Sequence, residues 1–149
     1  MTTIRLTTII NAPMLEVFEL SRDIDFHKKS VSQTQEEAIA GVTSGKIGMG
    51  ESVTWRGRHF GVFLTHESKI TAFKSPSLFT DEMVSGKFKS FKHEHFFRKM
   101  GNKTEMKDIL TYETPFGYFG KLFDLFFLKR HLTKFLQQRN LYLAQEIES

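Results

Sequence analysis

The 149-residue chain has the length of a single domain, and 40% hydrophobic with 26% charged residues is enough apolar material for a packed core. The absence of cysteine excludes disulfides, thiolate metal sites and a cysteine nucleophile. A net charge of +4, from 21 basic and 17 acidic residues, is too mild to indicate a nucleic-acid-binding surface.

No apolar run approaches the roughly 18 residues that span a bilayer. The first 11 residues alternate in polarity and carry one arginine, so they do not resemble a signal peptide. We therefore expect one domain over 1–149, a cytoplasmic location and no stable membrane insertion.

The first elements follow from local patterns. Alternation over 3–10 predicts a half-buried strand. A turn at Asn11-Ala12-Pro13 then leads into a short helix that ends near Ser21, and Asp23 can cap a second helix at 24–29. Four glycines interrupt 30–50, where 36–40 is interpreted as either a strand or a loop.

From residue 51 onward the pattern is that of a strand meander followed by a helix. We predict strands at 51–57, 60–72, 77–85, 88–99 and 104–114, with turns at Gly57, Ser75-Pro76, Gly86 and Gly101-Asn102. Residues 118–147 have a helical period with a wide apolar stripe that includes Leu122, Leu125, Phe126, Leu132, Phe135, Leu136 and Leu143. Only the inner face of the sheet can bury that stripe, so the prediction is an α+β fold.

The turn at Gly101-Asn102 predicts the register of its hairpin, because both residues tolerate the positive φ of a two-residue turn. Paired positions then sum to 203. The predicted pairs share one face of the sheet: Phe97 with Met106, His95 with Asp108, His93 with Leu110, and Phe91 with Tyr112.

Apolar residues dominate that face, so it is interpreted as the inner one. His93, His95, Asp108 and Tyr112 would then be buried and would need partners, since an unpaired buried polar group costs a few kcal/mol. The predicted His95–Asp108 pair supplies one such contact. It has two interpretations: a polar anchor or acid–base pair in a ligand cavity, or a buried pair that serves the core alone.

Other residue patterns in the sequence are weaker indications of a functional site. A metal site built on the His-x-His pair with Asp108 is set aside, because this spacing is common by chance. The glycine-containing segment at 41–47 departs from a phosphate loop, so no cofactor is expected. The basic residues of the last helix, which are interpreted as a solvated face, are Lys121, Lys129, Arg130, Lys134 and Arg139. The phenylalanines at 116–127 could form a membrane-binding helix, but we favour burial in the core.

The chain as a whole resembles a known superfamily. Its element order is similar to the START-like, birch-pollen-allergen-like helix-grip superfamily (SRPBCC). Local segments resemble an uncharacterised bacterial branch related to polyketide cyclase/dehydrase-like and cell-division-inhibitor-like proteins. These segments are Ile-Asn-Ala-Pro at 10–13 with Val17-Phe18, 53–61 including Trp-Arg-Gly-Arg-His-Phe-Gly, 79–88, His-Glu-His at 93–95 with Phe97, Asp108 with Tyr112, and Pro-Phe-Gly at 115–117. The resemblance implies a seven-stranded antiparallel sheet that grips the C-terminal helix around a pocket for hydrophobic compounds.

We therefore expect a binding module for a lipid-, polyketide- or aromatic-like molecule, with access near 30–50. The predicted ligand contacts are Trp55, Phe79, Phe91, His93, His95, Phe97, Asp108, Leu110, Tyr112, Phe119, Phe123 and Phe126. Two alternatives stay open. One is a cyclase/dehydratase-like enzyme in which the His95–Asp108 pair acts as acid/base, with Asp108 behind His95, and Tyr112 or an arginine holds the developing oxyanion. The other is a solid-core interaction protein.

Overall fold

The computed structural model of the protein describes residues 1–148. Its seven strands form one antiparallel sheet in the order β1-β7-β6-β5-β4-β3-β2. The strands are β1 Thr2–Ile10, β2 Glu37–Gly41, β3 Ser52–His59, β4 Val62–Lys74, β5 Leu78–Ser85, β6 Ser90–Met100 and β7 Lys103–Glu113. The helices are α1 Met14–Ser21, α2 Ile24–Ser30, α3 Gly117–Phe123 and α4 Lys129–Glu148, with a 3₁₀ turn at Ser32–Thr34 and a π-helical turn at Asp124–Leu128. The predicted α+β architecture is confirmed.

Local chemistry accounts for most of the element boundaries. The Asp23 side chain accepts a hydrogen bond from the Phe26 N–H at 3.0 Å, so the predicted cap of α2 is confirmed. The predicted turn at Gly57 is wrong, because β3 continues through it and the chain reverses at Phe60 and Gly61, both with positive φ. Gly57 is needed for packing instead, since a Cβ there would overlap the Glu36 carboxylate.

The β6–β7 hairpin has the predicted register. Phe97 pairs with Met106 and His95 pairs with Asp108, and the remaining predicted partners follow in step. The two-residue turn determines this register, because a shift by one residue would move every buried side chain to the other face.

The C-terminal helix runs from α3 through the π turn into α4. The π turn packs Asp124 and Leu128 inward, while Leu125 and Phe126 are 73% and 62% exposed. The predicted burial of these two side chains is wrong, and so is the favoured core position of the phenylalanines at 116–127, since Phe116, Phe119 and Phe127 are also more than half exposed. A π turn is wider than an α turn, so the residues between its two buried positions face outward.

The two ends of the sheet differ in packing. At the closed end, where α1 and α2 follow β1, the Phe18 ring makes edge contacts of 5.3–5.6 Å with Phe73, Phe79 and Phe97. At the open end lie the β3–β4 turn, the β5–β6 turn and the start of α3. Antiparallel pairing requires this alternation of turns between the two ends.

Among residues 1–148, no helix is both long enough and apolar enough to cross a membrane.

Candidate functional site: a cavity beneath the long helix

A cavity of about 930 Å³ lies between the sheet and the C-terminal helix. Most of its wall is apolar and includes Trp55, Phe79, Phe91, Leu110, Leu132 and Leu136. Its solvent-exposed lining residues belong to the open end: Phe60, Thr65, Gly86, Lys87, Phe116, Phe119 and Phe123. The expected access near 30–50 is therefore wrong, because that segment contributes only the buried Glu36 and Ile47 to the wall.

A cluster of polar side chains forms one part of the cavity wall and the layer behind it. Neighbouring strands β5, β6 and β7 supply Asp81, the two histidines His93 and His95, and Asp108. His93 Nε2–H donates to Asp108 Oδ1 at 2.8 Å. His95 Nε2–H donates to Asp81 Oδ2 at 2.8 Å, and Ser68 Oγ donates to the other oxygen of Asp81 at 3.0 Å.

Helix α4 closes this cluster from the opposite side. Asn140 Nδ2 donates to Asp108 Oδ2 at 2.8 Å, and Arg139 Nη1 donates to Asn140 Oδ1 at 2.9 Å. The interpretation of Arg139 as part of a solvated face is wrong, because this side chain is 3% exposed. Its spacing from Leu132, Leu136 and Leu143 places it on the buried stripe of the helix, a signal that the sequence contains.

The protonation states follow from burial and from these contacts. Burial and the neighbouring His93 lower the pKa of His95 to about 4, although the hydrogen bond to Asp81 acts in the opposite direction. Burial opposes ionisation of Asp108 and Asp81. The hydrogen bonds from His93 and His95, respectively, outweigh that effect and hold the pKa of each carboxyl below its ordinary value. At neutral pH the cluster therefore contains two carboxylates, a guanidinium and a neutral His95.

The stacked histidines retain unused nitrogen atoms. The His93 and His95 rings lie 3.8 Å apart, and the Phe79 ring stacks on His95 at 4.1 Å. His95 Nδ1 is buried without a hydrogen-bond partner among the described residues, 3.5 Å from Asp108 Oδ1. Both histidines use Nε2–H toward a carboxylate, so Nδ1 is the ring nitrogen that acts as a hydrogen-bond acceptor in the neutral form of each imidazole.

Eight of the 12 predicted ligand contacts line the cavity, and these are Trp55, Phe79, Phe91, His93, His95, Leu110, Phe119 and Phe123. The other four do not. Phe97 packs on Phe18 at the closed end, and Asp108 is fully buried behind His93. Tyr112 donates its hydroxyl to Asp124 at 2.5 Å, while Phe126 faces solvent.

The predicted His95–Asp108 pair is confirmed as a register pair with a 3.5 Å contact between His95 Nδ1 and Asp108 Oδ1, but it is not a hydrogen bond. The two residues are register partners, but His95 binds Asp81 and His93 binds Asp108. Because β6 lies between β7 and β5, a side chain on it can turn toward either neighbouring strand. Asp81 shares the inward face of β5 with Phe79, and this alternation was the available sequence signal.

A second polar group lies on the cavity wall, and sequence reasoning did not identify it as a unit. His59 Nδ1 and His131 Nε2 are 2.8 Å apart, and His59 Nε2 lies 3.4 Å from Glu36 Oε1. Glu36 is 8% exposed, and its second oxygen has no hydrogen-bond partner among residues 1–148. Within the described part of the chain, the second oxygen of Glu36 is therefore an unpaired hydrogen-bond acceptor. It lies near β3, which is separated from the first cluster along the sheet.

Asp81, His93 and His95 could in principle hold a metal ion, since one donor atom of each lies within 4.8 Å of the others. Two features oppose this use. Both Nε2 atoms already bind carboxylates, and the Arg139 guanidinium lies 3.6 Å from Asp108 Oδ1, where its charge disfavours a cation. The expectation of no metal stays a prediction.

Comparison with solved structures identifies the fold. The protein TTHA0849 of Thermus thermophilus aligns with a TM-score of 0.77 at 18% identity, covering 97% of this chain and 99% of that one. The Zhui aromatase/cyclase from Streptomyces sp. R1128 aligns with 0.77 at 12%, covering 99% and 93%. Major latex-like protein 151 from Panax ginseng aligns with 0.69 at 16%, covering 98% and 97%. No protein-family model and no curated protein sequence matches this chain.

These alignments cover nearly the whole chain. Together with the grip of the sheet on α3 and α4, they show that the protein has the helix-grip fold.

Proposed function

We propose that the protein binds a hydrophobic small molecule in the cavity and holds a hydroxyl group of that molecule against the paired histidines. The observation that carries the proposal is a cavity of about 930 Å³ with mostly apolar walls and a buried polar cluster on one side. Small-molecule sites commonly have roughly 300–1,000 Å³ and a few convergent polar groups. The fold similarity to an aromatase/cyclase and to a major latex-like protein is consistent with such a cavity.

The hydrogen-bond inventory indicates which polar group the ligand carries. The carboxylates of Asp81 and Asp108 already accept hydrogen bonds on both oxygens, and Arg139 donates to Asn140 and to the Ser21 carbonyl. Within this cluster, what remains for a ligand is Nδ1 of His93, the acceptor nitrogen of a neutral imidazole, because His95 Nδ1 is fully buried beside Asp108. A hydroxyl or phenol donates to such an atom, whereas an ether or a hydrocarbon does not.

The charge of the cluster disfavours an acidic ligand. Two ionised carboxylates face one guanidinium, and the pKa of about 4 keeps His95 neutral at pH 7. A ligand carboxylate would enter this low-dielectric region beside the negative charges of Asp81 and Asp108. We therefore propose a neutral hydroxylated hydrophobic compound, with the aliphatic and aromatic walls around its apolar part.

Trp55, the one tryptophan of the chain, lines the cavity and provides the measurement. Its fluorescence is titrated with 4-phenylphenol, biphenyl and biphenyl-4-carboxylate. We expect the phenol to bind about tenfold more tightly than the other two, since one buried hydrogen bond contributes about 1 kcal/mol and an unpaired partner costs more. His93→Phe should abolish this preference. The matched control is His66→Phe, which replaces another histidine of the cavity wall and should keep the preference.

Native mass spectrometry of the freshly purified protein is the complementary measurement, because a hydrophobic ligand of high affinity co-purifies. If none of the three probes changes the fluorescence of Trp55 and no compound co-purifies, the binding proposal is wrong. Equal affinity for all three probes would retain a binding cavity but reject the hydroxyl assignment.

A second candidate is acid–base catalysis in the same cavity, which the His95–Asp81 contact and the aromatase/cyclase similarity favour. A neutral His95 held by a carboxylate has the composition of a general base. His95→Gln separates the two candidates. Loss of turnover of a phenolic or polyketone substrate with unchanged affinity supports catalysis, and unchanged turnover rejects it.

A further inference from the structure

The open end of the molecule exposes an unusual number of large apolar side chains. Six of them, which we call the aromatic patch, are between 58% and 83% exposed: Phe116, Tyr118, Phe119, Leu125, Phe126 and Phe127. Single exposed apolar residues are common on soluble proteins, but a contiguous group along one helix usually marks an interaction surface.

Local structure explains why these side chains do not fold back into the core. The π turn buries Asp124 and Leu128 and leaves the three consecutive residues between them facing outward. Asp124 is held by hydrogen bonds from Tyr112 and Thr2, which anchors this arrangement to β7 and β1. The exposure is thus part of the folded structure.

The exposed charges on the helix that carries the patch have one sign. Between residues 116 and 139 the exposed charged side chains are all basic: Lys121, Lys129, Arg130 and Lys134. On the sheet, Glu113 lines a small pocket with Phe116 and Lys121, and its carboxylate is paired with Lys89 at 3.5 Å. The one acidic residue in this stretch, Asp124, is buried and paired. A rim of basic residues around aromatic and aliphatic side chains is the composition of a surface that binds anionic bilayers.

The patch is continuous with the opening of the cavity. Phe116 and Phe119 belong to the patch and also line the cavity, and Phe123 packs on Phe60 of the β3–β4 turn at 5.1 Å. A surface seated on this patch would therefore face the cavity opening directly. A second copy of the chain is a poorer occupant, because a symmetric contact would bring the basic rims of both copies together.

We propose that the aromatic patch docks the open end of the protein onto the surface of an anionic lipid bilayer. The aromatic side chains enter the headgroup region, the basic rim contacts lipid phosphates, and the cavity opening faces the acyl chains. Docking requires no ligand. The proposal therefore stands or falls separately from ligand binding, although the two together describe a protein that takes a hydrophobic compound directly from a membrane.

The test is co-sedimentation of the full chain with vesicles. One set contains phosphatidylcholine alone, and the other also contains about one third phosphatidylglycerol. We expect binding to the anionic vesicles at about 0.1 M NaCl and its loss near 1 M, where the Debye length falls from about 10 to about 3 Å. Leu125→Ser with Phe126→Ser should lower the partition coefficient at least tenfold, since two large apolar side chains leave the interface.

A charge variant tests the rim independently. Lys121→Gln with Lys129→Gln should lower the partition coefficient about tenfold or more, because each basic residue near an anionic surface contributes about 1 kcal/mol. Matched controls are Ile39→Ser with Leu141→Ser, which are exposed apolar residues outside the patch, and Lys69→Gln with Lys92→Gln on the sheet. Both control pairs should bind like the parent protein.

Several results would contradict the docking proposal, and each can be recognised separately. Absence of binding to the anionic vesicles, or equal losses in the patch and control variants, overturns the proposal. A dimer in sedimentation velocity that Leu125→Ser with Phe126→Ser dissociates would assign the patch to a second copy and also overturn it. A free energy of unfolding in urea that matches the parent protein shows that the fold of each variant is intact, since Leu125 and Phe126 are exposed side chains.

Discussion

The closed and open ends of this helix-grip fold use the same residue type in opposite ways. At the closed end Phe18 is fully buried and its ring contacts three other phenylalanines. At the open end Phe116 and Phe119 are 83% and 79% exposed beside the cavity. Phenylalanine carries no polar atom that requires a partner, so it serves equally as core filler and as an apolar contact surface. The closed end therefore contributes stability, and the open end is available for binding.

The largest expected effect is at the closed end. Phe18→Ala removes the ring that joins β4, β5 and β6 to α1 and leaves a cavity in a dense cluster. We expect a loss of about 3–5 kcal/mol in the free energy of unfolding, measured by urea denaturation. A loss below about 1 kcal/mol would mean that this end is not the stabilising core.

The next effect concerns pH and tests whether the cavity wall is dry. Burial, followed by the charge of Arg139, lowers the pKa of His27 from 6.5 to about 3, and its ring packs on Trp55 at 4.6 Å. The unfolded state therefore binds a proton at His27 more readily than the folded state does. The contribution of neutral His27 to the free energy of unfolding is fully present above pH 6.5 and decreases as the pH falls toward 3.

His27→Phe should match the parent protein at pH 7.5 and exceed it by about 2 kcal/mol at pH 5, as measured by urea denaturation at both pH values. His95, with a pKa lowered to about 4, contributes a similar acid sensitivity to the parent and to this variant. Identical pH profiles for parent and variant would indicate a hydrated His27.

A smaller effect on stability is expected at Gly120 in α3. A Cβ at Gly120 would overlap the carbonyl oxygen of Pro115, so Gly120→Ala must displace the backbone at the cavity opening. We expect a destabilisation of about 1–3 kcal/mol, measured by thermal or urea unfolding. Gly48→Ala is the control, since its added Cβ meets nothing closer than 3.4 Å, and it should change stability by less than about 0.5 kcal/mol.

The smallest effect is expected on the aromatic patch itself. Leu125→Ser with Phe126→Ser removes exposed side chains, so the free energy of unfolding in urea should stay within about 0.5 kcal/mol of the parent protein. A much larger loss would show that these residues support the core and would remove the contrast between the two ends.

Features determined by neighbouring residues were predictable from the sequence. The cap at Asp23 depends on a hydrogen bond across three residues, and the β6–β7 register depends on the two-residue turn. The alternation that buries His93 and His95 follows from the same hairpin. In each case the deciding interaction is local, so one sequence contains the whole argument.

The partners of the histidines were not predictable in the same way. His95 has Asp108 as its register neighbour on β7, yet its ring turns to Asp81 on β5. Arg139 and Asn140 reach the cluster from a helix whose position depends on how it lies across the sheet. The π turn, which exposes Leu125 and Phe126, depends on the anchoring of Asp124 by Tyr112 and Thr2.

The sequence by itself determined the strand order along the chain, the inward face of the last hairpin and the need to cover a long amphipathic helix. The tertiary structure decided which carboxylate each histidine binds, that Arg139 is buried, and that a cavity with an aromatic opening remains between sheet and helix. Alternation and turns act over a few residues, whereas these contacts join strands and helices far apart in the chain, and their geometry exists only once the sheet has closed around the helix.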